Sequence, residues 1–357
     1  MKPLLLHPNL ISYVIAGGSL LPIFLDIPFQ ENSGASQLWI ASTVRSELGK
    51  NKEGLSKLAE EQGSIYLKDL LDSNPEEYLG KAHADLWGSN PGLLIKLLNS
   101  KDRLLVQVHP DKRRAKKYFN SAFGKTEAWY VLDSKKDARV YAGFLPGVTK
   151  EVLRKAIEIQ DSEAILSLLH SYPIQKGDIL FIPAGLPHAL GKDSLIIEIQ
   201  EPTDITLRAE RRRPSGELLP ETMLHAGLGM EVLLDCFDYE CMDYKATQEK
   251  YFLKPRLFHQ EDTWREETLI SYKTTPCFAM HSISLGSGSS YLKRNEAFTI
   301  GLVLSGSGSL VGEGFTIPLG QGSEFFIPHK VKDYNYLANT EMKIIECYPP
   351  LSQLEEL

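Results

Sequence analysis

The sequence predicts a mainly β protein made of two jelly-roll units with helical insertions. Short apolar runs bounded by Gly, Pro, Asn and Asp recur along the chain, the pattern of many short strands joined by turns. Helical spacing is confined to a few segments, so the helices read as additions to a β scaffold. A weak internal repeat relates KGDILFIPAGLPHAL (Lys176–Leu190) to GQGSEFFIPHKVKDY (Gly320–Tyr334). Both copies hold a glycine, a polar or acidic pair and Phe-Ile-Pro, and His188 follows Pro183 at the distance at which Asp333 follows Pro328. A boundary near residue 245 divides a first unit, 1–245, from a second, 246–357, expected to lack a metal site.

Residues 1–45 read as short strands and turns, with SQLWIASTV (Ser36–Val44) the clearest. Residues 46–80 form the helical insertion: EGLSKLAEEQG and IYLKDLLDSNPEEYLG have helical spacing and mixed charge. PGLLIKLLNSKDRLLVQVHP reads as a strand pair joined by the polar turn Asn99–Arg103, and DKRRAKKYF as a short basic helix or loop. GKTEAWYVLDS (Gly124–Ser134) and ARVYAGF (Ala138–Phe144) read as a second hairpin. Thr149–Tyr172 is helical with a break near Asp161, after which KGDILFIPAGLPHALGKDSLIIEIQEPTD returns to strands and turns.

The totals narrow the function. A chain of 357 residues, 43% of them hydrophobic, is globular and long enough for two domains. Its net charge of −7 argues against a nucleic-acid surface, while a pocket can still be locally positive toward a small anion. Cys236, Cys241, Cys277 and Cys347 form no CxxC and fit reduced thiols of a cytoplasmic protein. His7, Pro8, Asn9, Gly17, Gly18 and Pro22 interrupt the apolar N-terminus, which reads as strands and turns of the mature fold and not as a signal peptide. No apolar run is long enough to predict a membrane span.

The chemistry begins at LLVQVHPDK (Leu104–Lys112). In a strand Leu105, Gln107 and His109 share one face, with Val106 and Val108 on the other. Lys125 and Glu127 are likewise two apart in GKTE, and His188 follows a Pro-x-Gly-x-Pro turn. Singly, each has a dull explanation: a strand end, a surface ion pair, a turn residue. Converging inside one jelly roll, Gln, His, Glu and His would make a nitrogen and oxygen donor set suited to a divalent ion such as zinc.

VQVHPD, GKTEAWYVLD, GDILFIPAGLPHAL and LIIEIQEPTDITLR together resemble the type I phosphomannose isomerases, above all the short bacterial form. The likeness is strong over residues 91–210 and mainly architectural after 240. It implies a pair of cupin-type jelly rolls, a single metal held by Gln107, His109, Glu127 and His188, and a catalytic arginine at Arg208 in Thr-Asp-x-x-x-Arg. Lys125, Glu198 and Asp204 match pocket positions of acid–base groups. Lys125 would act as a base only when neutral, a state favoured by burial beside a cation. The implied reaction interconverts mannose 6-phosphate and fructose 6-phosphate through an enediol, with a small phosphorylated sugar as partner and neither nucleic acid nor membrane. The donor set accepts zinc, manganese, iron or cobalt alike. Lys96 and the cluster Lys112–Lys117 are weaker candidates for attracting phosphate.

The chain departs from the family in two places. Ala16-Gly17-Gly18 stands where Trp-Gly-Gly is usual, and Leu207 and Ala209-Glu210-Arg211-Arg212-Arg213 flank Arg208 where tyrosines are usual. These departures motivate one alternative, an isomerase for a different sugar; a further alternative, a sugar-phosphate-binding cupin without chemistry, is opposed by the intact set Gln107, His109, Glu127, His188, Lys125 and Arg208. An iron-dependent oxygenase fits less well, since it leaves Gln107 and Lys125 unexplained.

Overall fold

The computed structural model describes residues 1–12, 17–28, 35–46, 52–59 and 65–351. Ala16 lies outside them, as does the end of the EGLSKLAEEQG segment. Within them the chain forms two β-sandwiches whose named strands all pair antiparallel. The larger sheet of the first runs, edge to edge, Phe252–Leu253, Ile179–Ile182, Glu127–Ser134, Ser194–Gln200, Leu94–Ser100, Ala35–Ile40 and Leu10–Ser12. Facing it are Leu207–Arg208, Gln107–Val108, His188–Leu190, Arg139–Phe144 and Leu169–Pro173. The second sandwich repeats the order: Leu4–Leu5, Glu324–Ile327, Thr299–Ser305, Met342–Tyr348, Ala279–Leu285, Trp264–Ile270 and Arg256–Glu261 in the large sheet, and Ser290–Arg294, Asp333–Ala338, Ser307–Gly312 and Phe315–Gly320 in the small one. This is the cupin-type jelly-roll pair, and the two Phe-Ile-Pro segments occupy matching strands.

Apolar layers hold it together, one of them, with Ile283, Val303, Phe325 and Ile344, filling the second sandwich. Ile40, Ile95 and Ile197 of the first large sheet meet Ile300, Leu302 and Ile345 of the second, joining the units back to back. Trp129, Val131, Ile196, Val140 and Leu190 fill the first sandwich. Val106, Val108, Phe144 and Leu207 point outward from its small sheet and are covered by Leu153, Ile157, Leu233 and Leu234 of the helices Lys150–Ile159 and Met230–Cys236. Burial of these side chains, each worth about 1.5–3 kcal/mol, dominates the fold's stability.

Several expectations are corrected. Neither expected hairpin exists. Leu94–Ser100 pairs with Ser194–Gln200 and Ala35–Ile40, whereas Gln107–Val108 pairs across the sandwich with His188–Leu190. Glu127–Ser134 and Arg139–Phe144 are likewise in opposite sheets. In a jelly roll a polar turn can carry the chain from one sheet to the other, and local sequence does not distinguish that from a hairpin. Residues 52–59 form turns and isolated bridges, not a helix. Gly54 holds φ +97°, and a Cβ there would lie 2.6 Å from the Val44 carbonyl, so the segment's packing fixes a turn. The expected helical segment IYLKDLLDSNPEEYLG does form helices, Leu67–Ser73 and Pro75–Leu79, and a further helix, Lys81–Trp87, follows. Asp161 does break the next helical stretch, capping Ser162–Leu166 by accepting from Glu163 and Ala164, but Leu169–Pro173 is a strand. The line at residue 245 is crossed both ways: Leu4–Leu5 completes the second large sheet and Phe252–Leu253 the first. The four cysteines are free, and among the described residues no helix is long and apolar enough to cross a membrane.

Candidate metal centre and cavity

The site is built where the two sheets of the first sandwich face each other. Gln107 and His188 are directly paired across adjacent strands of the small sheet, and Glu127 opens its strand in the large one. His109, Glu127 and His188 are wholly buried, with one candidate donor atom from each lying within 4.8 Å of the others.

The hydrogen bonds show what is missing. His109 Nδ1 lies 2.9 Å from the Ile205 carbonyl and His188 Nδ1 lies 2.9 Å from the Leu186 carbonyl. A carbonyl only accepts, so both Nδ1 atoms carry the proton and both Nε2 atoms present lone pairs. Those lone pairs face the Glu127 carboxylate, Nε2 of each histidine standing 3.3 Å from one of its oxygens. Neither oxygen receives a hydrogen bond. Acceptors facing acceptors in a dry interior repel unless a cation sits among them. Lys125 answers in part, its ammonium 3.1 Å from His109 Nε2 and 3.4 Å from Glu127. On the other side His188 Nε2 meets only the Gln107 amide, 3.1 Å away, whose oxygen reaches the same place by a half-turn about its last bond. One carboxylate, two imidazoles and an amide therefore fit a divalent ion with room for water or substrate. Both histidines donate to backbone carbonyls, the arrangement that would fix ring orientation at a metal.

Titration follows the same logic. Burial and the charge of Lys125 pull His109 down to about 3, so it is neutral. Burial alone would raise Glu127, but the Lys125 charge beside it holds the carboxyl well below the usual range.

Beside this centre lies a cavity of about 270 Å³ lined by Gln107, Lys125, Glu198, Asp204 and Arg208. Glu198 is on the inward face of its strand, with Ile197 and Ile199 on the outward face. Trp129 Nε1 donates to it at 3.0 Å, and burial together with the nearby Glu127 charge raises its pKa against the pull of Lys96 and Lys125. Arg208 pairs across its strand with Gln107, and its guanidinium donates to the Thr206 and Met223 carbonyls at 3.2 and 3.3 Å. Among the described residues no carboxylate neutralises it, so it presents a positive charge to the cavity.

Sequence reasoning undervalued Lys96. It is buried with 3% exposure, 3.4 Å from Glu198 and 3.5 Å from Asp204, and its ammonium lies over the Trp39 ring. Its pKa is raised because these carboxylates and Glu127 outweigh burial. It positions two acids and has little charge left for phosphate. A lone lysine inside LLIKLL was the available signal. The Lys112–Phe119 helix contributes no residue to the cavity lining. Arg213, Ser215 and Glu217 do line the mouth, on a tight turn where Arg213 pairs with Glu217 at 2.7 Å.

Residues 24–143 match the family described as phosphomannose isomerase type I, catalytic domain, and residues 268–349 match mannose-6-phosphate isomerase, cupin domain. The chain belongs to the type I phosphomannose isomerase family. The chain is 29% identical over 334 residues to the probable mannose-6-phosphate isomerase GmuF of Bacillus subtilis, covering 90% of this chain and 98% of that one. It is 29% identical over 265 residues to the mannose-6-phosphate isomerase ManA of the same species, 72% of this chain and 76% of ManA. In fold it matches a crystal structure of the Bacillus subtilis mannose 6-phosphate isomerase with TM-score 0.77 at 23% identity, over 98% of this chain and 100% of that one. A putative mannosephosphate isomerase from Archaeoglobus fulgidus gives TM-score 0.73 at 17% identity, over 98% and 99%.

Proposed function

We propose that this member of the family interconverts mannose 6-phosphate and fructose 6-phosphate, with one zinc ion held by Gln107, His109, Glu127 and His188. The observation that carries the reading is the convergence of imidazole lone pairs on a buried carboxylate that receives no hydrogen bond. Names of relatives in two Bacillus subtilis proteins and a Streptococcus mutans enzyme support the substrate. A divalent ion bound there supplies Lewis-acid polarisation of the sugar's oxygens.

The chain's own residues supply the rest. Arg208 binds negative oxygen, either the sugar's phosphoryl group or the charge that develops as the enediol forms. Glu198 moves the proton between C1 and C2: it faces the cavity, and its raised pKa brings it nearer the range where a carboxyl both takes and returns a proton. Lys125 lies against His109 and Glu127, where its charge balances the carboxylate and its ammonium can donate to a substrate oxygen. Asp204, shared with Lys96, completes the acid–base network. Four free thiols and a phosphorylated substrate fit a cytoplasmic enzyme.

Metal analysis of the purified protein alongside a coupled assay for fructose 6-phosphate tests this. The expected result is one zinc per chain and turnover that stops on chelation. Full activity after chelation would overturn it. The mouth formed by Arg213, Pro214 and Ser215 favours a second reading, an altered sugar preference. Comparable rates on several aldose phosphates would support that reading.

A further inference from the structure

Because the two sandwiches share one strand order, register compares their sites position by position. Glu198 stands opposite Lys96 in the first large sheet, and Glu346 opposite His281 in the second, within the similar strands LIIEIQ and KIIECY. Glu127 stands opposite Ile182, and Thr299 opposite Ile327. His188 pairs with Gln107 on the inward face of the first small sheet, and Tyr334 with Lys293 on that of the second. The places of Gln107, His109, Glu127 and His188 thus pass to Lys293, Asn295, Thr299 and Tyr334. The donor set is replaced, yet a cavity of about 210 Å³ persists there, lined by all four.

Its floor is an ordered polar network. Lys293, 8% exposed, reaches Glu266 at 2.8 Å and Glu346 at 3.0 Å. Glu266 also accepts from His281 and Tyr291, and Glu346 from Tyr334, Tyr336 and Tyr348. A buried network of this kind is weak as a stabiliser compared with well-packed apolar residues, so its presence under an open cavity calls for a function. The walls add aromatic surface: Phe258, half exposed, lies tilted against the His281 ring with centroids 5.0 Å apart, and Tyr272 and Tyr348 complete them.

We propose that this cavity is a second, non-catalytic site that binds an uncharged monosaccharide. Two carboxylates surround one ammonium on the floor, and the rim arginine, Arg294, has Asp333 at 3.9 Å and Glu296 two residues on. A phosphoryl dianion would meet net negative charge there, in contrast to the unneutralised Arg208 of the first cavity. An uncharged polyol meets no such repulsion. Its C–H faces pack on Phe258 and Tyr272, and its hydroxyls both donate to and accept from Thr268, Thr299 and Tyr348. The proposal does not depend on the catalytic reading.

Saturation-transfer NMR of the full-length protein with methyl α-D-mannopyranoside, a closed ring without phosphate, tests it. Binding is expected in the wild type and in Met223→Trp, which fills the first cavity's mouth. It should weaken about tenfold or more in Ala297→Trp and in Ser271→Trp, which fill the second. Isomerase turnover and melting temperature should be unchanged in Ala297→Trp, and the 6-phosphate of the same glycoside should not compete. No binding to the wild type, binding that survives both second-cavity substitutions, or effective competition by the phosphate would overturn the proposal.

Discussion

Glu127 and Glu346 are both wholly buried carboxylates on inner strands of jelly rolls, and their surroundings are opposite. Glu346 receives three tyrosine hydroxyls and the Lys293 ammonium, so each oxygen has donors. Glu127 receives no hydrogen bond and faces two imidazole lone pairs, with only the Lys125 ammonium nearby. The same fold therefore holds one carboxylate in a finished internal network and leaves the other in a cluster that could hold a metal ion. A buried acceptor without a donor costs about 1–3 kcal/mol, and that cost is tolerated where an ion is to bind.

Exchanging the two roles should give the largest effects. Glu127→Ala should lose its metal and at least about 10³-fold in turnover, since Lewis-acid stabilisation is worth several kcal/mol. Metal-free, the variant should lose less stability than Glu346→Ala, because Glu127 receives no hydrogen bond and balances the Lys125 ammonium alone. Glu346→Ala should do the reverse: turnover per folded molecule nearly unchanged, but stability lower by about 3 kcal/mol or more in urea unfolding, because Lys293 and three tyrosines lose their partner. Equal stability losses in both variants would erase the contrast.

Arg208→Lys comes next, with an expected fall in kcat/KM of about 10²-fold and unchanged metal content. A loss confined to metal binding would place Arg208 in a structural role.

How much of this was legible in the sequence follows from what strand alternation encodes. The shared face of Leu105, Gln107 and His109, with Val106 and Val108 behind, survives into the structure although only Gln107–Val108 is regular strand. Alternation needs no knowledge of partners. Sheet membership does, which is why the Asn99–Arg103 turn was misread: it carries the chain between sheets, and its polarity is the same either way. Lys96 was undervalued for a related reason. Its importance lies in Glu198 and Asp204, both about a hundred positions away in sequence, which sequence-local reasoning cannot supply. Residues 52–59 mimicked a helix because a short apolar spacing fits several periods.

Smaller effects concern pH. Burial raises the pKa of Glu198, so at neutral pH its ionised form weighs against folding. Glu198→Gln should accordingly raise the melting temperature at pH 8. That gain should shrink as pH falls through the native pKa, where the wild-type carboxyl is already neutral. Turnover should drop about 10²–10⁴-fold if Glu198 carries the proton. Glu266 has the opposite sign. Burial opposes ionisation, but His281 and Lys293 hold its pKa down to about 2. Its contribution to stability is full above the unfolded value of about 4.3 and is lost as pH falls from there through about 2. Trp264 fluorescence during acid titration should report that loss in wild type, and Glu266→Gln should remove this part of the acid sensitivity.

The central claim is tested most directly by anomalous diffraction at the zinc edge from crystals of the purified protein. The account predicts a single strong peak about 2.0–2.2 Å from His109 Nε2, His188 Nε2 and a Glu127 oxygen, with the Gln107 amide oxygen turned toward it. A metal found elsewhere, with these three side chains still facing one another across an empty gap in an active enzyme, would contradict it.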